Sequence, residues 1–520
     1  MNFKDLLLPL TLAMLTTWGV HYFFFNKTTT SDEEVRSGQS FIAPKAKKEL
    51  NPLNSEVNFS DVKRPKPSLL SEVQTDGAVL VFTTDGATLE SLTFKHVYNC
   101  PGCPMQTIEM PAETEKENRA FLLALGNETP YYYDLINRQD LDDKIQLTYQ
   151  ADFQDGRIEK KFTVYKDSYK IDLAIKVESK KAQEEKLEPR IFFPSPSVPA
   201  LKTNDAIFAI MSNEKSSIEK ISTDKLNVEQ GWFAPRIFGA DDRYFVHALV
   251  DDQQSFVQRG YFKFSDKNKL VAILEGPAVG KTPTNEWKLS FYCGPKEVAS
   301  FAKVDARLEQ TLDYSGIFSP ISKFLLYVLK LLYSYLKNYG LAIIALTILV
   351  KLVLLPFTYR AEEGMQKRAE FDKKLKYVQQ KFKHDPEMLA HERAELIKKH
   401  GMPGLSGCLP LLLQLPIFIA LSRVLSSAIE LYRAPFFGWI HDLSASDPYY
   451  VLPVITGLGM LMQTATMAGN DPKQKIPSVV MALVIGAVTA NLAAGLALYI
   501  CTFNILGIVQ TKALKFFKRS

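Results

Sequence analysis

Between Lys475 and Lys512 lie 36 consecutive residues without a charged side chain. As one helix that run would be about 54 Å long, against roughly 30 Å for the hydrocarbon core of a bilayer. One straight span cannot hold it. The run therefore predicts two short spans joined by a turn near Asn491-Leu492-Ala493-Ala494-Gly495. Three further apolar segments, residues 339–358, 409–431 and 450–467, bring the total to five spans within 338–511. Near the N-terminus, residues 6–25 form another uncharged run between Asp5 and Lys27. A cleaved signal peptide would have a shorter apolar core followed by small residues. This run ends instead in His21-Tyr22-Phe23-Phe24-Phe25, which suits an interfacial aromatic belt. Residues 1–26 are read as an uncleaved signal anchor.

Averages conceal this organisation, because 23% of the chain is charged. Residues 27–69 are rich in Ser, Thr, Lys, Pro and acids, and read as a flexible linker. From residue 70 the pattern changes to period 2. Residues 158–165 and 169–175 flank Lys166-Asp167-Ser168 as a hairpin. Residues 79–82, 244–250, 260–264 and 270–274 continue the series. Many short strands with polar turns predict a β-sandwich over 70–317. Lys323, Lys330 and Lys337 recur every seven residues, so 318–337 reads as an interfacial amphipathic helix. The fold class is thus a polytopic α-helical membrane protein, an anchor plus a five-span bundle, carrying a large β-sandwich domain. Five Cys in 520 residues exclude a disulfide scaffold, and 33 Phe with 22 Tyr exclude a disordered chain.

Charge sets the orientation. The segment 359–407 holds 11 Lys and Arg, and Lys473, Lys475 and the tail 512–520 add more. The loop on the opposite side, residues 432–449, holds only Arg433. The positive-inside rule makes the basic segments and both termini cytoplasmic and the β-domain periplasmic. Within 359–407, Phe371, Leu375, Val378 and Phe382 have helical spacing, and His384-Asp385-Pro386 breaks the pattern before a second helix through Lys399. This cytoplasmic helical hairpin is either a solvated charged face or a docking arm for a nascent chain. With the basic tail it could also meet ribosomal RNA through nonspecific phosphate contacts.

Polar groups inside the spans require a reason. Lys351 lies nine residues before Arg360, about 13 Å along a helix. A charge there costs at least about 3 kcal/mol on insertion scales. It either snorkels to the surface or faces a hydrated cavity, and Thr347, one turn earlier on the same face, favours the cavity. Gln414 sits between Pro410 and Pro416, and Gln463, Asn491, Asn504 and Gln510 put polar groups into each later span. Singly each is accounted for by an interhelical hydrogen bond. Together with a cation they predict a wet polar groove. Arg423 and Glu430 are read as sharing one span, with Glu430 at the headgroups. Cys100-Pro101-Gly102-Cys103, in an oxidising compartment, reads as a local disulfide, with Cys293 left over and Cys408 and Cys501 as packing residues. No nucleophile elbow, P-loop or zinc motif occurs, so no catalytic residue, metal or cofactor is expected.

Several longer motifs resemble the YidC membrane protein insertases, in the Gram-negative form with a large periplasmic domain. Residues 439–453, from Trp439-Ile440-His441-Asp442 to Pro453, resemble that family's outer loop and fourth span. Gly407-Cys408-Leu409-Pro410 through Phe418 resembles its third span, and Gly495-Leu496-Ala497-Leu498-Tyr499 with Asn504 and Gln510 its last. Asp242-Arg243-Tyr244-Phe245 and Tyr292-Cys293-Gly294-Pro295-Lys296 resemble its periplasmic domain. The resemblance implies insertion of membrane proteins into the bacterial inner membrane, alone or with the Sec translocon, without covalent chemistry. It implies a hydrophilic groove open to cytoplasm and lipid, here lined by Lys351, Thr347, Gln414, Tyr499 and Asn504. Implied partners are nascent membrane proteins, the Sec translocon, membrane lipids and the ribosome through the cytoplasmic loops, with no specific nucleic acid. Two features depart from the family pattern: the groove cation, commonly Arg, is Lys351, and the basic tail is short.

Overall fold

The computed structural model describes residues 53–517 apart from 64–65, 96–105, 110–118, 127, 154–155, 180–187, 197–206, 213–216, 267–268, 280–283, 314–318, 383–385, 401–408 and 468–471. The anchor 1–26, the C-x-x-C at Cys100 and Cys103, and Cys408 lie outside the described residues. The chain forms two units. One takes in Met1–Ser315 and Ser427–Arg433, the other Gly316–Ser426 and Ala434–Ser520.

The first unit is built mainly from antiparallel sheets. The largest has nine strands, running in space from Glu219–Ser222 at one edge through Thr284–Pro295 to Asp134–Asp140 at the other. Five- and four-stranded sheets share one apolar core with it. The predicted hairpin is Gly156–Tyr165 against Lys170–Ser179, with Val164 opposite Ile171 and Ile158 opposite Val177. Period 2 buries Ile158, Phe162 and Val164 on one face.

The same parity buries Lys160 completely. Its ammonium donates to the carbonyls of Gly86 at 2.9 Å, Ala87 at 2.6 Å and Phe121 at 2.6 Å. All three acceptors belong to residues in the left-handed region, with φ of 66°, 44° and 68°. An ammonium has three donors, and here each has an acceptor. Burial pushes the Lys160 pKa well below its ordinary value, while three carbonyls around the nitrogen require the charged form, since a neutral amine offers only two hydrogens.

Residues 53–62 are not the flexible linker that their composition predicts. Buried Arg190 donates to the carbonyls of Asn54 at 2.7 Å and Glu56 at 3.0 Å. Asn58–Phe59 pairs in parallel with Glu128–Thr129, and the Asp61 carboxylate accepts from the amides of Tyr131 and Tyr132. Val57 lies in a second apolar cluster with Leu122, Phe192 and Ile273. The attachment runs mainly through backbone carbonyls, which composition does not register.

The two motifs of this unit meet. Lys296 and Lys220 both reach Asp241, at 2.5 and 2.7 Å. The Lys296 amide donates to the Tyr244 carbonyl at 2.7 Å. Asp242 accepts from the amides of Tyr244 and Phe245, both at 2.7 Å. Burial raises Asp242 to about 7, offset in part by those amides and by Lys296. Burial lowers His247 to about 4, with the Pro194 carbonyl opposing. The Cys293 thiol, also buried, is pushed up and is free.

In the second unit the helices are numbered after a short α1, Val298–Val304, of the first. They are α2 (Ser319–Leu336), α3 (Tyr339–Lys381), α4 (Pro386–His400), α5 (Leu409–Ser427), α6 (Val451–Met467), α7 (Pro472–Ala490) and α8 (Ala494–Phe517). The break between α7 and α8 falls at the expected turn. Asn338 caps α3 through its side chain, accepting from Leu341 N at 3.1 Å. The α3 helix runs without interruption through Pro356 into the charged segment.

The reading of 409–431 as one span is corrected. The α5 helix ends at Ser427, and Ile429–Leu431 is a separate 3-10 turn. Ile429, Leu431 and Tyr432 are buried, and Tyr432 packs on Tyr244 and Phe245 with ring centroids 4.6 and 5.8 Å away. The apolar run is long because it serves a protein core after the helix stops. Glu430 is 7% exposed in that turn, so it neither shares the Arg423 helix nor meets headgroups.

The loop motif at 439–453 is organised by Asp447, itself buried. Its carboxylate accepts from Trp439 Nε1 at 3.0 Å, Tyr449 N at 3.1 Å and Leu452 N at 2.7 Å, closing the start of α6. The carbonyls of Ala445 and Leu443 accept from Ala494 N and Gly495 N at the start of α8. One loop thus satisfies amides at two helix starts.

Three outcomes follow from these contacts. Lys160→Met leaves three buried carbonyls without a donor, and the β-domain unfolds about 3–5 kcal/mol more easily in urea titration. Asp447→Ala removes three bonds and costs about 1–2 kcal/mol, read as a lower midpoint of helix loss in detergent. The third concerns pH. Asp242 is raised in the fold, so its contribution to stability grows as pH falls from about 7 toward 4. His247 is depressed, so its contribution is lost as pH falls from 6.5 toward 4. Asp242→Asn keeps the oxygen acceptor and removes only the first effect. Its thermal midpoint therefore drops more steeply from pH 7 to 5 than that of the parent protein.

Candidate functional site

The helical unit exposes large apolar side chains. On α3 they include Ile348, Leu349, Leu352 and Val353, on α6 Val454, Leu458 and Met462, and on α8 Ile505 and Val509. In water such faces would drive association; against lipid they carry no penalty. Among the described residues, two helices are long and apolar enough to cross a membrane, at Tyr339–Pro356 and Ala494–Ala513. Shorter apolar helices occupy Pro416–Ser427, Val451–Met462 and Val479–Ala490.

Lys351 falls within Tyr339–Pro356, half-buried between exposed Leu352 and Val353 and buried Val350. Its ammonium turns toward α8. Lys351 Nζ donates to the Phe503 carbonyl at 3.0 Å and lies 3.8 Å from the centroid of the Phe503 ring. One residue therefore supplies both an acceptor and a π face, the two kinds of partner that satisfy a desolvated cation.

The other predicted groove residues divide. Tyr499, one turn before Phe503, is buried, with its ring 6.1 Å from Phe503 and 5.9 Å from Phe418 on α5. Thr347 is fully buried and bonds back to the Ile343 carbonyl at 2.6 Å, so its hydroxyl satisfies its own helix. Asn504 lies on the side of α8 that meets α6, where a Cβ on Gly459 would come within 3.8 Å of it. Its amide nitrogen is buried without a hydrogen-bond partner among the described residues. Gln414 belongs to α5, but its side chain lies outside the described residues. The structure thus brings together Lys351, Phe503, Tyr499 and Phe418, and sets Asn504 against α6.

Phe503 and Phe418 are the residues that sequence reasoning passed over. A phenylalanine on a spanning helix reads as packing or lipid contact. The available signal was spacing, because Tyr499 and Phe503 are four residues apart on one helical face.

Glycines lie at two further contacts of this unit, of which only Gly340 leaves no room for a side chain. Added side-chain atoms at Gly457 would lie 3.7 Å from the Ala482 carbonyl and 3.9 Å from Gly486 on α7. At Gly340 they would overlap the Phe436 ring. Among the described residues no group of three or more His, Cys, Asp or Glu could hold a metal ion.

Residues 331–519 match the family described as 60Kd inner membrane protein, and residues 71–328 match the YidC periplasmic domain. The chain is 30% identical over 458 residues to the membrane protein insertase YidC of Geotalea daltonii, covering 84% of this chain and 85% of that one. It is 36% identical over 305 residues to the Helicobacter pylori protein of the same name, covering 58% and 54%. A crystal structure of an active YidC insertase, with its first transmembrane domain resolved, matches with 16% identity and a TM-score of 0.37, covering 86% of this chain and 93% of that one.

Proposed function

The chain belongs to the YidC family of membrane protein insertases, and from that premise we propose that it inserts inner-membrane proteins through a polar groove centred on Lys351. The single observation that carries this reading is a cation within an apolar helical window, half-buried and held by a neighbouring helix. A charge kept at such a position, against an insertion cost of at least about 3 kcal/mol, marks a functional site by default.

In this account the span count is six, the anchor plus α3, α5, α6, α7 and α8. The β-rich unit lies in the periplasm, and both termini with the α3–α4 segment lie in the cytoplasm. The wet groove opens to cytoplasm and lipid and shortens the path across the apolar slab for a client's translocated tail. Lys351 attracts acidic groups in that tail. Gln414, Tyr499, Asn504 and Thr347 line the path. The client's apolar segment then moves sideways into lipid, driven by transfer of roughly 25 cal/mol per Å² of apolar surface. No covalent step is involved. The basic α3–α4 segment meets the ribosome or the emerging chain, and the protein works alone or beside the Sec translocon.

Insertion by the purified chain in liposomes tests this, with a single-span client bearing a short acidic tail and protease protection as the readout. Lys351→Arg keeps the charge and inserts at near the parent rate. Lys351→Ala inserts about tenfold more slowly, about 1.4 kcal/mol of lost transition-state stabilisation. Equal rates for all three remove the cation from the mechanism.

A further inference from the structure

We propose that Phe503 is the resting seat of the Lys351 ammonium and sets how acidic a client tail must be to engage it; this rests on the insertase reading above. The ammonium is not waiting free in a groove. It donates to the Phe503 carbonyl at 3.0 Å and sits over the same residue's ring at 3.8 Å. The carbonyl belongs to the interior of α8 and has a second lone pair beyond its helical bond. The ring is fixed from its other neighbours. Tyr499 approaches it on α8, and Phe418 approaches Tyr499 from α5. The cation therefore joins α3 to α8, and the Tyr499 and Phe418 rings continue the contact to α5.

This arrangement suits a displaceable partner. A carboxylate entering beside α3 takes over an Nζ–H donor, and the ammonium gives up the carbonyl and the ring. Nothing covalent changes. Lysine has a compact head on a flexible stem, which lets it make such a swing. A carboxylate competes for the ammonium; a neutral amide competes poorly, because hydrogen bonds to charged groups are the stronger ones. The ring contact thus acts as a threshold. Its removal favours acidic tails by about tenfold, the range of a partly desolvated cation–π contact. It leaves neutral tails unchanged.

Two measurements test this on the full chain in vesicles of phosphatidylethanolamine and phosphatidylglycerol. The first follows insertion of a single-span protein whose tail carries either three Asp or three Asn. Phe503→Leu removes the ring and keeps the carbonyl. The expected result is a half-saturating concentration about tenfold lower for the Asp tail, no change for the Asn tail, and recovery of the parent value in Phe503→Tyr. An equal shift for both tails, or none for the Asp tail, overturns the proposal. The second is an NMR spectrum of protein with 13C-methylated lysines, with the Lys351 signal assigned from Lys351→Arg. A ring above the ammonium moves that signal upfield, and Phe503→Leu removes the displacement. A signal at the same position in both proteins overturns the seat, whatever the insertion result. If the parent protein inserts neither tail, the insertase reading fails and the specificity role falls with it, while the NMR displacement still decides the seat.

Discussion

A charged group inside an apolar helix must be satisfied by its surroundings, and the helical unit is organised around that requirement. Lys351 could reach the membrane surface only by stretching across about 13 Å of helix. It turns inward instead, to a carbonyl and a ring on α8. The contact ties α3 to α8, while the Tyr499 and Phe418 rings extend the link to α5. The Asp447 loop keeps the starts of α6 and α8 in register. The polar residue is thus both the hardest group to place and the one that fixes neighbouring helices.

The β-rich unit solves the same problem with different means. Lys160 lies at a core position and is held by three carbonyls of left-handed residues. Arg190 collects carbonyls of the segment at 53–56, and Asp241 lies between Lys220 and Lys296. Lys160 and Arg190 satisfy backbone carbonyls, whereas Asp241 is neutralised by two ammonium groups. The contacts of Lys296 with the Tyr244 carbonyl and with Asp241 also bring together the two motifs of this unit, which are far apart in sequence.

Much of the helical unit was legible because length is a hard constraint. An uncharged run of 36 residues had to break, and it breaks between Ala490 and Ala494. Parity along 158–165 gave the hairpin. The same parity placed Lys160 on the core face, but charge alone gave no hint of three carbonyl partners. Residues 429–432 misled because burial in protein and burial in lipid select the same side chains. The attachment of 53–62 was hidden because it runs through backbone atoms. Of the residues that meet here, Lys351 stood out as a charge in an apolar run, and Tyr499 entered only through the family resemblance. Phe503 was not legible, since its role depends on which residue of α3 faces it.

The central claim is that water from the cytoplasm reaches the groove beside Lys351, although its helix is apolar and its ammonium rests on Phe503. The most direct measurement is thiol labelling of Lys351→Cys in protein whose native cysteines are replaced, using a charged, membrane-impermeant reagent added to one side at a time. Leu352→Cys, on the exposed apolar face, is the control. The account predicts rapid labelling of position 351 from the cytoplasmic side and slow labelling of 352 from either side. Equal, slow labelling at both positions would contradict a hydrated groove and leave the lysine as a packed structural cation.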